Sequence, residues 1–212
     1  MTSKAQGVET STRLKAWEPI LLEWFEVLDG YASLYPATDA AYWYTERAAL
    51  GMLAGAVWRQ KGVVLEEYRC IRNVDGKERK GRTDAWFRIG TEGYEVEAKY
   101  VDALTKPHKL AQAVETTLAQ ATSELKSSGD KESMQVALTF FVAGVKEPPG
   151  LEETFADFIT PAKDLKPDLL AWYFPGGTRR LRSPYNNHHY PGVILVGRLV
   201  RQGPLTSAIS GR

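Results

Sequence analysis

The stretch GRTDAWFRIGTEGYEVEAKY, residues 81–100, is the most informative window of the chain. It contains a run of alternating, β-branched and aromatic residues at 83–89 and nearly all of a second run at 94–101, with a glycine-bounded turn between them. Residues 63–72 have the same character, so we expect three consecutive strands. The short connections favour an antiparallel meander, because a parallel neighbour would need a longer crossover.

Amphipathic helices and apolar strands are predicted on either side of this meander. One helix covers 17–28 and ends at Asp29-Gly30, and another begins near Thr38 or Asp39 and stops at Gly62. After the meander the pattern predicts a helix over 106–127, a strand over 134–145, a short helix over 151–159 and strands over 169–174 and 192–199. A helical crossover would lay the 134–145 strand parallel to its predecessor.

The order helix, three strands, helix, strand describes an α/β sandwich with a mixed central β-sheet flanked by helices. The 212 residues, 43% of them hydrophobic, suffice for one sizeable core. We therefore expect a single domain over 1–212, with residues 1–14 disordered.

Composition sets broad limits on the function. The formal net charge of +1 neither requires nor excludes a polyanionic partner, so any basic surface must be local. Cys70 is the only cysteine and favours a reducing compartment. The polar start lacks the features of a signal peptide, and no stretch approaches the roughly 18 apolar residues of a membrane span. These features predict a soluble, cytoplasmic protein without a membrane partner.

The third strand of the meander carries a charged face. Alternate side chains of a strand share a face, so Glu95, Glu97 and Lys99 point to the side opposite the apolar residues between them. With helices on both sides of the sheet, this face is partly buried. Two carboxylates and an ammonium must then be paired or bind a metal.

Asp84 is predicted to lie close to this charged face. It precedes the turn of the same hairpin, which places it beside Glu97 in a register that the sequence leaves open. Neighbouring carboxylates repel each other in a dry site, and a hard cation such as Mg²⁺ removes that repulsion. Glu46 is a further candidate, because it lies in line with the apolar stripe Leu50, Leu53 and Val57 of its helix.

Glu46 on a helix, Asp84 near a strand start and Glu97-Ala98-Lys99 on the next strand resemble the PD-(D/E)xK nuclease superfamily. Gly-Arg-Thr-Asp, ending at Asp84, stands where the family commonly has a Pro-Asp element, and the proline is absent. The resemblance covers roughly residues 38–125 and implies a restriction-endonuclease-like three-layer sandwich whose catalytic core spans about 38–145.

The resemblance also implies an activity. Asp84, Glu97 and the Ala98 carbonyl would hold Mg²⁺, or Mn²⁺, against the scissile phosphate, with Glu46 assisting the metal or its water. Lys99 would orient the nucleophile. The expected reaction is hydrolysis of phosphodiester bonds in DNA, in phage defence, restriction, repair or mobile-element maintenance. A homodimer or a larger complex would suit double-strand cutting.

Several accessory residues are further candidates for the site. The basic residues before Asp84 would bind phosphate or form a solvated hairpin tip: Lys77, Arg79, Lys80 and Arg82. Glu95 would lie at the rim, pair with Lys99 or Arg88, or join the metal site. Gln120 and Gln112 follow on the next helix, where some superfamily members carry a polar site residue.

Other interpretations of the acidic residues stay open. Glu97 and Lys99 also fit a same-face ion pair on a solvated strand, and Glu46 fits a salt bridge to a buried arginine. On the scale of the whole chain, one alternative is a catalytically silent nuclease fold that acts as a nucleic-acid-binding or assembly subunit. Another is an interaction protein whose acidic cluster is a structural ion-pair network.

Overall fold

The computed structural model of the protein describes residues 5–35, 38–103, 107–146, 153–178, 180–183 and 187–201. These residues form seven strands and four α-helices. The strands are β1 (Gln6–Thr10), β2 (Val63–Val74), β3 (Lys77–Ile89), β4 (Glu92–Ala103), β5 (Met134–Ala143), β6 (Leu169–Tyr173) and β7 (Val193–Arg201). The helices are α1 (Glu18–Leu34), α2 (Glu46–Arg59), α3 (Pro107–Lys126) and α4 (Glu153–Asp164).

All seven strands belong to one mixed sheet with the order β1-β6-β7-β5-β4-β3-β2. The antiparallel meander β2-β3-β4 is confirmed, and so is the parallel pairing of β4 with β5 after the α3 crossover. The element order α2-β2-β3-β4-α3-β5 therefore follows the prediction. It brings the charged face of β4 next to α3.

Helices cover both faces of the sheet. One core cluster joins residues of α1 and α2 to Tyr94, Val96 and Ala98 of β4. The other joins residues of α3 and α4 to β5, β6 and β7. The alternation predicted for β4 is confirmed, because its apolar residues face α1 and α2. No described helix is long and apolar enough to cross a membrane.

The expectation of a disordered start is wrong where the structure describes it. Residues Gln6–Thr10 form an edge strand that pairs antiparallel with β6. A 3-10 helix, Thr12–Trp17, follows and buries Leu14 and Trp17. The polar sequence hid this strand, because its stabilisation comes from a partner more than 150 residues away in the chain.

Two predicted helix boundaries also differ from the structure. Helix α1 continues through Asp29-Gly30 to Leu34, since one glycine lowers helix stability without ending a well-packed helix. Helix α2 begins at Glu46 rather than near Thr38 or Asp39. The hydroxyl oxygen of Thr45 accepts a 3.2 Å hydrogen bond from the Ala48 N–H and caps this helix.

The hairpin of β2 and β3 extends well past β4. Its two strands pair from Val63–Arg88 to Val74–Lys77, and Asp75-Gly76 forms the turn with both residues at positive φ. Strand β3 pairs with β4 over residues 85–89. We call residues 68–83 the distal hairpin. Glu67, with φ of 52°, precedes it.

Candidate functional site

The core of the site is Asp84 on β3 and Glu97 on β4. Asp84 precedes Ala85, which pairs with Val96, so the two carboxylates come side by side. Oδ2 of Asp84 accepts a 2.9 Å hydrogen bond from the backbone N–H of Ala98. Asp84 is therefore held against the Glu97-Ala98-Lys99 segment, as the sequence predicted for Asp84 and Glu97.

Glu97 is the most strongly perturbed carboxyl of this group. Its exposed fraction is 1%, and burial, followed by the hydrogen bond and charge of Asp84, raises its pKa to about 8. Arg72 opposes this shift. Neighbouring carboxylates in a dry site repel each other, and a nearby positive charge favours their ionised form. Arg72 supplies one such charge at Glu97, so a further cation beside the pair would lower the pKa of Glu97 again.

Lys99 reaches the same place from the next alternate position of β4. Its Nζ atom lies 3.9 Å from Oδ2 of Asp84 and 3.0 Å from Oε2 of Glu124 on α3. Burial alone would lower the pKa of Lys99, but the hydrogen bond to Glu124 and the carboxylates of Asp84, Glu124 and Glu46 raise it. Lys99 is consequently a fixed ammonium at the edge of the carboxylate pair.

Arg72 of the distal hairpin is a site residue that the sequence analysis missed. Its Nη2 atom bonds to Oε1 of Glu97 and to the backbone oxygen of Arg82. Its Nη1 atom donates to the backbone oxygen of Glu124 at 2.7 Å. The Glu97 and Arg72 side chains are 2% and 14% exposed, so this ion pair is largely buried.

Glu46 approaches the site from α2, which packs on the face of the sheet opposite α3. It is the first residue of α2 and is half-buried. Burial raises its pKa, Lys99 opposes the rise, and the charges of Asp84 and Glu124 add to it. No ion pair forms at Glu46 within the described residues, so the alternative of a salt bridge to a buried arginine finds no partner among them.

Glu95 does not occupy the rim and does not pair with Lys99 or Arg88. It is completely buried. Its Oε1 atom accepts hydrogen bonds from Thr83 at 3.0 Å and Ser128 at 2.6 Å, and its Oε2 atom accepts one from Gln135 at 2.8 Å. These neutral donors come from three parts of the chain, which makes Glu95 the centre of a structural network.

The two glutamines of α3 take different positions. Gln120 is exposed, and its Nε2 atom donates to Oε1 of Glu124 at 3.3 Å. It therefore touches the residue that holds Lys99. Gln112 is exposed two turns earlier on the same helix. Of the two, Gln120 is the one that the structure connects to the candidate site.

The four predicted basic contacts lie on a strand and not in a loop. Strand β3 begins at Lys77, so Lys77, Arg79, Lys80 and Arg82 belong to the distal hairpin. The lysine, arginine and glutamate content hid the strand, because its stability comes from pairing with β2. All four side chains are exposed.

Glu124 and Arg72 belong to the site because they contact residues that are distant from them in the sequence. Glu124 lies 25 residues after Lys99, and Arg72 lies 25 residues before Glu97. Glu124 lies four residues after Gln120 on the same helix, and this spacing was a local indication that the two side chains are neighbours. No local pattern marks Arg72, because only the folded distal hairpin brings it into contact with Glu97.

Within the described residues, no group of three or more histidine, cysteine, aspartate or glutamate side chains is arranged to hold a metal ion. Comparison with models of known protein families gives no match, and a search among curated proteins gives none either. A function for this chain is therefore inferred from the geometry and chemistry of the site itself.

Proposed function

We propose that this protein is a metal-dependent nuclease of the restriction-endonuclease-like PD-(D/E)xK superfamily that hydrolyses phosphodiester bonds in DNA. One observation carries the proposal: the Ala98 N–H fixes the carboxylate of Asp84 beside Glu97 and within 3.9 Å of the Lys99 ammonium. Asp84, Glu97 and Lys99 thus bring two carboxylates and one ammonium together. This is the arrangement that the resemblance to the superfamily implies.

The fold around these residues supports the proposal. The order α2-β2-β3-β4-α3-β5 and the parallel β4-β5 pair follow the order expected from the resemblance. Glu46 at the start of α2 is close enough to Asp84 and Lys99 for their charges to shift its pKa. The start of α2, Asp84 of β3 and Lys99 of β4 thus converge at the point where the pairing of β3 with β4 ends.

The residues present fit a hard divalent cation. Asp84 and Glu97 supply carboxylate oxygens, the Ala98 carbonyl is a third oxygen donor, and Mg²⁺ or Mn²⁺ prefers such ligands. Burial and the neighbouring Asp84 raise the pKa of Glu97, and a dication would oppose both effects by stabilising the ionised carboxylates. When bound, the metal would supply charge neutralisation at the phosphate and a more acidic water.

The chain's own groups have distinct roles in this proposal. Asp84 is oriented by the Ala98 N–H, and Lys99 is oriented by Glu124. The Lys99 ammonium would orient the attacking water and stabilise negative charge in the transition state. Glu46, with its pKa raised by burial, would accept a proton from water more readily than an exposed glutamate.

The test is cleavage of linear, circular and single-stranded DNA by purified protein with Mg²⁺, with Mn²⁺ or with EDTA. We expect cleavage with either metal, none with EDTA, and 5′-phosphate ends. Asp84→Asn should lose activity, whereas Asp157→Asn, an exposed carboxylate on α4, should not. Absence of cleavage from all three substrates with both metals would contradict the proposal.

A second candidate function is favoured by the Arg72 contact. Its guanidinium already gives Glu97 a positive partner, so the same fold serves equally as a catalytically silent nucleic-acid-binding or assembly subunit. Under this alternative, metal neither stabilises the protein nor promotes cleavage, while nucleic-acid binding persists. The cleavage experiment and a binding titration on the same samples separate the two candidates.

A further inference from the structure

The distal hairpin presents two faces of different character. In its register, Arg69 pairs with Arg82, Ile71 pairs with Lys80 and Asn73 pairs with Glu78. These pairs alternate with others that include Tyr68–Thr83 and Arg72–Arg79. We call the first set the outward face. All six of its side chains are exposed.

The other face packs against the protein. Tyr68, Cys70, Arg72 and Val74 are half-buried, and Thr83 is completely buried. The backbone is held as well: the Asn73 N–H donates to the Ser127 oxygen at 2.6 Å, and the Gly129 N–H donates to the Ile71 oxygen at 2.8 Å. The hairpin is therefore anchored, and the outward face is presented on a preformed ribbon.

The outward face has the composition of a groove-binding surface. It combines three cations, Arg69, Lys80 and Arg82, with one carboxylate. Among the described residues, neither Arg69 nor Lys80 has an ion-pair partner. Ile71 lies between them with an exposed fraction of 48%, although most large apolar side chains of the chain are buried.

The outward face continues into the candidate site. The carboxylate of Glu67 forms an ion pair with Nη1 of Arg82 at 2.9 Å and a second ion pair with Arg47. Arg47 directly follows Glu46 at the start of α2. A partner lying on the outward face would therefore pass the rim formed by Arg82, Glu67 and Arg47 and reach the Asp84–Lys99 region.

We propose that the outward face of the distal hairpin docks in the major groove of B-form DNA. The proposal rests on the proposed function, since that function supplies the nucleic-acid partner. The major groove, about 12 Å wide, admits a two-stranded β-ribbon, and arginine, lysine, asparagine and isoleucine can all contact base edges or thymine methyl groups there. The anchored backbone lowers the ordering cost of binding.

The geometry selects duplex DNA over duplex RNA. The major groove of A-form RNA is deep and narrow, so a two-stranded ribbon cannot enter it. A contact through charge alone would bind both duplexes to a similar extent, because each duplex presents a dense array of phosphates. Discrimination between the two duplexes is therefore the property that groove docking adds to simple electrostatic attraction.

The chain offers a matched pair of variants for the test. Arg69→Ala/Lys80→Ala removes one arginine and one lysine from the outward face. Lys77→Ala/Arg79→Ala removes the same charges from exposed positions of the alternate register set. Binding would be titrated in EDTA at one fixed salt concentration, with DNA and RNA duplexes of equal sequence and about 20 base pairs, roughly two helical turns of DNA.

We expect the wild type to bind the DNA duplex at least tenfold more tightly than the RNA duplex. The outward pair of substitutions should weaken DNA binding at least tenfold and abolish most of this preference. The control pair removes charges whose phosphate contacts would be common to both duplexes, so it should weaken binding to both alike and change the preference less than threefold. Equal binding of the two duplexes by the wild type, or an equal loss of the preference in the two variants, would overturn the proposal. Unchanged thermal midpoints would show that both variants are folded.

Failure of the docking proposal and failure of the proposed function give different results. Metal-dependent DNA cleavage with no difference between the two variants rejects groove docking and leaves the nuclease proposal standing. Face-dependent DNA binding without cleavage rejects the nuclease activity and supports docking. Absence of binding to both duplexes contradicts groove docking, and if it is accompanied by absence of cleavage from all three DNA substrates it contradicts both proposals.

Discussion

The guanidinium of Arg72 bonds to the buried carboxylate of Glu97 and joins the distal hairpin to β4. Arg72 also donates to the backbone oxygen of Glu124, near the end of α3. One side chain therefore fixes the hairpin, the helix and the central strand relative to one another. The relationship also means that a metal at Glu97 would have a cationic neighbour.

Arg72→Met should destabilise the metal-free protein by about 1 to 3 kcal/mol, because it leaves the buried Glu97 carboxyl and the backbone oxygen of Glu124 without their donor. The raised pKa of Glu97 keeps much of this carboxyl protonated at neutral pH, so the substitution removes hydrogen bonds more than a full ion pair. Urea unfolding at neutral pH measures the effect. Arg69→Met, an exposed position on the same strand, is the control and should cost less than about 0.5 kcal/mol.

Glu97 should make the metal-free protein less stable as pH rises. Below its ordinary pKa of 4.5 the carboxyl is protonated in both states. Between 4.5 and about 8 the unfolded chain releases the proton while the folded chain retains it, so the free energy of unfolding falls. Unfolding in EDTA across this range should show wild-type stability falling relative to Glu97→Gln. Parallel pH profiles would show that Glu97 titrates normally.

Glu95→Gln should destabilise the protein by about 1 to 3 kcal/mol without removing a metal response. The amide would bring an NH₂ donor to a position where Thr83, Ser128 and Gln135 already donate. Chemical unfolding with and without Mg²⁺ measures both quantities. Loss of the metal response in a folded Glu95→Gln protein would instead place Glu95 in the metal site.

Local periodicity was sufficient to predict the centre of this fold. The alternation of residues 94–101 identified the apolar face and the charged face of β4, and the short turns identified the meander. Asp84 and Glu97 could be paired in advance because both lie on one hairpin. Their contact depends on adjacent strands and not on the remainder of the chain.

The features that escaped prediction depend on distant partners. Strand β1 is short and polar, and it forms by pairing with β6. The basic part of β3 has weak strand propensity, and the hairpin that contains it is held by residues 127–129. Arg72 and Glu95 acquire their roles from that same packing. A sequence window cannot show which side chains a folded-over hairpin brings to a carboxylate.

Lys99→Ala should reduce single-turnover cleavage by at least a hundredfold and leave DNA affinity nearly unchanged. Lys99 is proposed to act on the attacking water and on the negative charge that develops in the transition state. The affinity for uncleaved DNA therefore does not depend on it. Cleavage with Mg²⁺ and binding with Ca²⁺ measure the two effects separately. Lys126→Ala, an exposed lysine at the end of α3, is the control. Wild-type cleavage by Lys99→Ala would exclude the proposed role.

The proposed function depends on metal binding to the Asp84–Glu97 pair, and the thermal midpoint measured against Mg²⁺ and Mn²⁺ concentration reports on that binding without requiring cleavage. Asp84→Asn is the informative variant, because its amide oxygen can still accept the Ala98 N–H while the charge is removed. At about ten times the Kd, native-state binding adds roughly 1.4 kcal/mol, or about 3 to 6 °C for a chain of this size. We predict this rise for the wild type and for Asp157→Asn, and its loss in Asp84→Asn. An unchanged wild-type midpoint at millimolar metal, with and without a DNA duplex, would contradict metal binding to this pair.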